Sequence, residues 1–199
     1  MDKQKTIFIS ADHGLAIIYF LQSDVVKTLL ANGIRVVVLT DDGLVEQIKK
    51  RFGQPGMIVE GLRYKTCQEY ANTVKPTQQY WLNFARRVGT SNKINTEAMD
   101  SHIQQVDAEV QGKQRLALAA SRVLIWNLRH FKPVRKWLVN YQMRFIPGIY
   151  DDLFEKYQPD LVVSSTYGWR NDRYLLREAA QRRVKVGAVI VGWDNPSSY

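Results

Sequence analysis

His13 stands between Asp12 and Gly14, just beyond the run Thr6 to Ser10 and Ala11. Beside a glycine the imidazole is accessible, and a neighbouring carboxylate can tune its basicity, so a ring placed there could deprotonate a hydroxyl. The plainer alternative is a polar loop whose Asp12 caps the following helix. A second polar set is Ser164-Ser165-Thr166, followed by Tyr167-Gly168-Trp169-Arg170. Its hydroxyls and backbone N–H groups suit phosphate or sugar oxygens near a helix start, and Arg170 and Arg173 would strengthen an anion site. Ordinary capping uses the same residues. A third set, Trp193-Asp194-Asn195, pairs an aromatic face for stacking on a sugar or base with groups that hydrogen-bond hydroxyls. Its alternative is a turn whose Trp193 packs on the rest of the protein.

Other chemistries lack their residues. Asp41 and Asp42 follow an apolar strand as a ribose-gripping acid would, but the first loop is Ser-Ala-Asp-His-Gly without G-x-G-x-x-G, which disfavours a nicotinamide or flavin cofactor. Asp42 is better placed to cap the next helix. No P-loop, serine elbow or metal-spaced His/Cys cluster is present, so no metal is expected, and His102 and His130 stand alone in helical stretches. The single cysteine, Cys67, excludes an internal disulfide and reads as a small structural residue near a helix start.

Elements that would position these groups can be read from periodicity. Thr6 to Ser10, Ile34 to Thr40 and Met57 to Val59 read as strands, separated by helices from about Leu15 to Ala31 and from Asp42 to Phe52. Asn32-Gly33 ends the first helix and Gly-Gln-Pro-Gly turns the chain after the second. From Gly61 the pattern becomes helical for about 95 residues, including a stripe of Val134, Trp137, Leu138, Tyr141 and Phe145 that stops at Pro147-Gly148. Val123 to Trp126 is also consistent with a strand. A helix near Tyr150 to Tyr157, a strand Leu161 to Ser164, a helix from about Asn171 to Arg183 and a closing apolar strand Val186 to Val191 restore the β-α alternation. The closing strand has no polar residue and is expected to be buried on both faces. The expectation is one α/β domain over 1–199, a mostly parallel sheet of about five strands with helices on both faces, carrying a helical insertion over 62–148. Function in such a sheet lies at the carboxyl ends of its strands, where all three polar sets fall.

The formal charge of +9 is concentrated. Between Val110 and Tyr150 there is no acidic residue, while Lys113, Arg115, Arg122, Arg129, Lys132, Arg135, Lys136 and Arg144 supply +8. Aromatic residues, Trp126, Phe131, Trp137, Tyr141 and Phe145, are interleaved with them. Three readings stay open: a surface resting on anionic lipid headgroups, a solvated basic face packed on the sheet, or a nucleic-acid surface, the last disfavoured because no RNA or DNA module is visible. The apolar block Leu15 to Leu21 is far short of the roughly 20 residues that span a bilayer. A cytoplasmic protein, soluble or peripheral at the inner face of the membrane, is expected.

With a strand, a His-Gly loop and a helix at the start, then Tyr157-Gln-Pro-Asp160-Leu-Val-Val, an Ala- and Arg-rich helix and a strand ending in Trp-Asp-Asn, the chain resembles a known family. It is similar to the N-terminal, acceptor-side Rossmann-like domain of GT-B glycosyltransferases, in particular bacterial capsule-type and CDP-glycerol glycerophosphotransferase-like proteins. The resemblance covers roughly residues 6–61 and 149–199. It implies transfer of a glycosyl or glycerophosphate group from a nucleotide-activated donor to a cell-envelope or polysaccharide acceptor, with His13 as candidate base beside Asp12. Gly14, Ser165, Thr166, Arg170, Trp193, Asp194 and Asn195 would contact substrate. It also implies that no cofactor is bound tightly, that the donor sits on a C-terminal domain or partner subunit outside these residues, and that this half alone is inactive. In the same resemblance Arg115, Arg122, Arg129, Lys132, Arg135, Lys136 and Trp137 would meet an anionic membrane. Two alternatives stand beside it: a non-catalytic scaffold or regulatory domain that binds a nucleotide or phosphorylated ligand, and half of a UDP-sugar epimerase.

Overall fold

A computed structural model describes residues 4–80, 82, 131–166 and 172–189. Five parallel strands form one sheet: β1 (Thr6–Ala11), β2 (Arg35–Thr40), β3 (Met57–Gly61), β4 (Leu161–Ser164) and β5 (Lys185–Ala188). Their spatial order is β3-β2-β1-β4-β5. The chain therefore builds outward from β1 in one direction, then returns to its other side, and the order reverses between β1 and β4. This is an α/β, Rossmann-like fold.

Alternation along the central strands assigns the two faces. Phe8, Val37, Leu39 and Val162 pack with Cys67 of α4 (Tyr64–Thr73), with Leu153, Phe154 and Tyr157 of α6 (Asp151–Tyr157), and with Tyr174, Leu175 and Ala179 of α7 (Arg173–Gln181). Ile9, Ala11, Val36, Val38 and Val59 pack on the opposite face against Ala16, Phe20, Leu21, Val26 and Ile48. Those last residues come from α1 (Gly14–Ile17), the π-helical turn Ile18–Gln22, α2 (Val25–Ala31) and α3 (Val45–Phe52). Helices thus cover both faces, and continuous Val/Ile/Leu runs are what such burial demands.

Four expectations are corrected. The helix foreseen over Leu15 to Ala31 is interrupted: a π turn leads to Ser23 in extended backbone, and α2 begins afresh at Val25. Ser23 makes the break tolerable, its hydroxyl donating to the Tyr19 carbonyl and its oxygen accepting from the Val25 N–H at 3.3 Å. Gly14–Ala31, taken as one stretch, has the length and apolarity of a membrane span, although Ala16, Phe20, Leu21 and Val26 turn toward the sheet. Second, Asp42 does not cap the turn that contains it. Asp41 does, accepting from the Gly43 N–H at 2.9 Å, while Asp42 accepts from the N–H groups of Arg63 (2.9 Å) and Tyr64 (2.8 Å) at the start of α4.

Third, β5 is an edge strand that pairs only with β4 among the described residues, and Val186 is 45% exposed rather than buried on both faces. Residues 190 and 191 of the foreseen strand lie outside the described residues. Fourth, α5 (Lys132–Gln142) begins with Pro133 in its first turn, and Trp137 is not on the inward stripe: Leu138 and Phe145 are buried but Trp137 is 58% exposed.

The described residues fall into two compact units, one of residues 4–73 and 146–189, the other within 74–145. Helix α4 belongs to the first, anchored by Cys67, Tyr70 and Ala71, so the beginning of the helical stretch is part of the sheet's own core. In the second unit, residues 76–80 are helical and the Gln142 side-chain amide of α5 donates to the Leu82 carbonyl at 3.2 Å. Residues 83–130, including Val123 to Trp126, lie outside the described residues.

Candidate functional site at the strand reversal

β1 ends at Ala11, held in register by the Thr40 hydroxyl of β2, which donates to the Ala11 carbonyl at 2.9 Å. The next two residues, Asp12 and His13, leave the sheet where β1 and β4 diverge. Asp160 sets the opposite end of this pair, its carboxylate accepting from the Thr6 N–H and its own N–H donating to the Thr6 carbonyl, each at 2.8 Å. Beyond β4 the chain presents Ser165 and Thr166. The Ser165 hydroxyl crosses the divide and donates to Asp12 Oδ1 at 3.2 Å, joining the β1 and β4 loops.

His13 is the N-cap of α1. The Ala16 N–H donates to His13 Nδ1 at 3.2 Å, which places the proton of a neutral ring on Nε2. That nitrogen lies 3.7 Å from Asp12 Oδ1, an electrostatic contact longer than a hydrogen bond. The Asp12 side chain is fully buried and that of His13 is 18% exposed. In this arrangement the neutral imidazole's one lone pair is engaged by the backbone, so His13 could take a proton from a substrate only by releasing α1. Capping, expected of Asp12, belongs to His13.

A second carboxylate completes the cluster. Asp172 immediately precedes α7 yet does not cap it with its side chain; instead it turns back toward β4. Ser164 Oγ donates to its Oδ2 at 2.5 Å and Thr166 Oγ1 to its Oδ1 at 2.6 Å, while the Thr166 N–H donates to Ser164 Oγ at 3.0 Å. Burial pushes the Asp172 carboxyl above the usual carboxylate range, and the Asp12 charge adds to this against the pull of the two hydroxyls. Two buried oxygens in the region have no hydrogen-bond partner among the described residues, Asp12 Oδ2 and Ser10 Oγ. Ser10 is fully buried near the end of β1, on the strand face of Phe8.

The structure thus brings together Asp12, His13, Ser165 and Thr166. Gly14 is exposed beside them, and a Cβ there would meet nothing within 4 Å, so no close approach requires its glycine. Arg173 lies with its guanidinium over the Tyr174 ring, 5.9 Å from the centroid. Arg170, Trp193, Asp194 and Asn195 lie outside the described residues, as do Arg115, Arg122 and Arg129 and the side chains of Lys132 and Arg135. Lys136 and Trp137 are exposed on α5 in the other unit.

Sequence reasoning missed Asp172, Ser164 as a carboxylate donor, and Ser10. A readable signal existed for Asp172, an acid standing directly before a helix eight residues after Ser164 in the reversal-point loop. Chemically the cluster accepts hydrogen bonds: each hydroxyl of Ser164, Ser165 and Thr166 is already donated to a carboxylate, which leaves them poorly matched to the anion foreseen there. Among the described residues no three His, Cys, Asp or Glu side chains gather as a metal site would require. The chain matches no protein-family model, no curated protein and no solved structure.

Proposed function

We propose that the chain is the acceptor-side half of a GT-B-type transferase, which delivers a glycosyl or glycerophosphate group from a nucleotide-activated donor to a hydroxyl of a cell-envelope or polysaccharide acceptor. The observation that carries this reading is the Asp12–Ser165 hydrogen bond across the point where strand order reverses. α1 and α7, which come after β1 and β4, pack on opposite faces of the sheet, and the carboxyl ends of the strands at such a reversal are where open parallel sheets bind their ligands. A transferase needs there a group that fixes the acceptor hydroxyl and takes its proton as the new bond forms. Asp12 supplies a buried carboxylate for this, and His13 lies over it at the solvent side. The donor nucleotide belongs to a further domain or subunit facing these strand ends.

Titration with nucleotide sugars and, separately, with envelope-polysaccharide fragments tests the assignment. An acceptor half responds to the fragments and not to the nucleotides. Tight nucleotide-sugar binding with no response to any fragment would replace this reading with that of a nucleotide-binding regulatory domain.

The exposed face of α5 bears on where the acceptor is met. Lys136, Trp137 and Asn140 are exposed along it, with Phe131 exposed just before it and Arg144 just after it, within a segment that has no acidic residue. An aromatic ring at headgroup depth flanked by cations suits an anionic bilayer surface. Pelleting with anionic liposomes is expected at low salt, to fall steeply as salt is raised, and to weaken in a Lys136→Ala/Trp137→Ala double variant; pelleting equal to that with neutral liposomes would remove the membrane from the proposal.

A further inference from the structure

We propose that the site at the carboxyl ends of β1 and β4 binds a neutral hydroxyl of a sugar or polyol through Asp12 Oδ2 and Ser10 Oγ, and rejects phosphate. This rests on the transferase reading for its biological sense but on the local chemistry for its specificity.

Three observations converge. The three loop hydroxyls foreseen for an anion are spent on carboxylates: Ser165 is bonded to Asp12, and Ser164 and Thr166 to Asp172. Two carboxylates stand in the cluster, and an anion entering it would be repelled by both. Against this surplus of acceptors, Asp12 Oδ2 and Ser10 Oγ are buried with no partner among the described residues. Buried polar oxygens are almost always paired, so two left open near the end of β1 ask for a donor.

The number of open atoms selects the donor. An ammonium brings three N–H groups and would leave at least one unmatched by two acceptors, whereas a hydroxyl donates once and accepts once. Asp12 Oδ2 can take its proton in a hydrogen bond, and the Ser10 hydroxyl, itself both donor and acceptor, can complete it. Entry is at His13, whose ring reaches solvent while the Asp12 side chain, Ser10 and Asp172 are fully buried. Its contact with Asp12 is 3.7 Å and, among the described residues, the ring's other tie is the bond from Ala16, so a ligand hydroxyl can displace the ring without breaking the sheet.

The test is a titration with methyl glucoside, glycerol and inorganic phosphate at constant ionic strength, followed by NMR at the His13 ring and the Ala16 and Ser165 amides. Saturable shifts with the sugar and glycerol, and none with phosphate, are expected. Asp12→Asn turns the open acceptor into an N–H donor and is expected to weaken sugar binding roughly tenfold or more. Ser10→Ala removes one oxygen from a strand whose packing is otherwise unchanged, keeps the fold if Asp12→Asn does not, and is expected to weaken binding about threefold. Phosphate shifts at these nuclei, or unchanged sugar affinity in a folded variant, overturns the site. Polysaccharide fragments that bind the Asp12→Asn chain undiminished would likewise remove the site while leaving the transferase reading intact. Sugar binding lost on Asp12→Asn, in a chain that also binds nucleotide sugars tightly, would support the site and sink that reading.

Discussion

His13 performs a structural task that its position between Asp12 and Gly14 does not announce. Because Nδ1 caps α1, His13→Ala removes both a cap and an imidazole, and a loss of about 1 kcal/mol of stability is expected. His13→Asn retains an acceptor for the Ala16 N–H and separates the two roles. If the proposed transferase activity is reconstituted with a donor-binding partner, equal loss of turnover in both variants would assign chemistry to the ring; full turnover in His13→Asn would leave proton acceptance to Asp12. Asp172 makes a pH prediction. Its folded carboxyl is raised above the unfolded value of about 3.9, so the native state holds the proton more tightly. That contribution is complete below the unfolded value and is lost as pH rises through the raised folded one. Asp172→Asn forfeits a hydrogen bond from Ser164 or Thr166 but cannot ionise. Its deficit in Tm is expected to be largest near pH 4 and to shrink toward pH 8; a deficit independent of pH would show that the carboxyl does not titrate in this range.

Among the elements, the joint of β2, β3 and α4 shows how a local reading goes astray. Asp42 follows a strand and precedes a helix, which locally is a capping position, yet its two oxygens cap α4 some 20 residues away. Gly61 permits this, since a Cβ there would run into Asp42 Oδ1. Gly61→Ala is therefore expected to cost about 1–3 kcal/mol and much less in an Asp42→Ala background. Additive costs in a chemical-denaturation cycle would break the connection. Glu178 is a similar case on α7: fully buried, it accepts from the N–H groups of Ile149 (2.8 Å) and Tyr150 (2.9 Å). The strand cores were legible because alternation and apolar runs are local. The interruption at Ser23 was not, because a π turn keeps the same apolar side facing the sheet and leaves the periodic signal almost intact. The exposure of β5 was hidden for a different reason: an apolar strand reads alike at the centre and at the edge of a sheet.

For the molecule as a whole, the long excursion between β3 and β4 leaves the sheet through two residues that are tied to its point of return. Tyr150 Oη donates to the Leu62 carbonyl at 2.6 Å, and Arg63 donates to the Ile149 carbonyl and grips both oxygens of Asp152 at 2.5 and 2.6 Å. Arg63 holds this grip from a left-handed backbone conformation (φ 53°), a local cost offset by its partners. With departure and return fastened inside the sheet unit, replacing residues 74–145 by a short Gly/Ser linker is expected to leave a cooperatively folding domain with its helical and strand signals retained. A molten product in circular dichroism and thermal melting would show that the sheet depends on the removed residues. By itself the sequence determined the α/β alternation, the residues that end β1 and β4, and the concentration of charge in one segment, all properties of neighbours along the chain. Only the tertiary structure decided that the order of strands reverses between β1 and β4, so that Asp12 meets Ser165 from 153 positions away, and that the hydroxyls of Ser164 and Thr166 are spent on Asp172. The reason is physical: hydrogen-bond partnership depends on which groups burial forces together, and no local pattern records which donors have already been used.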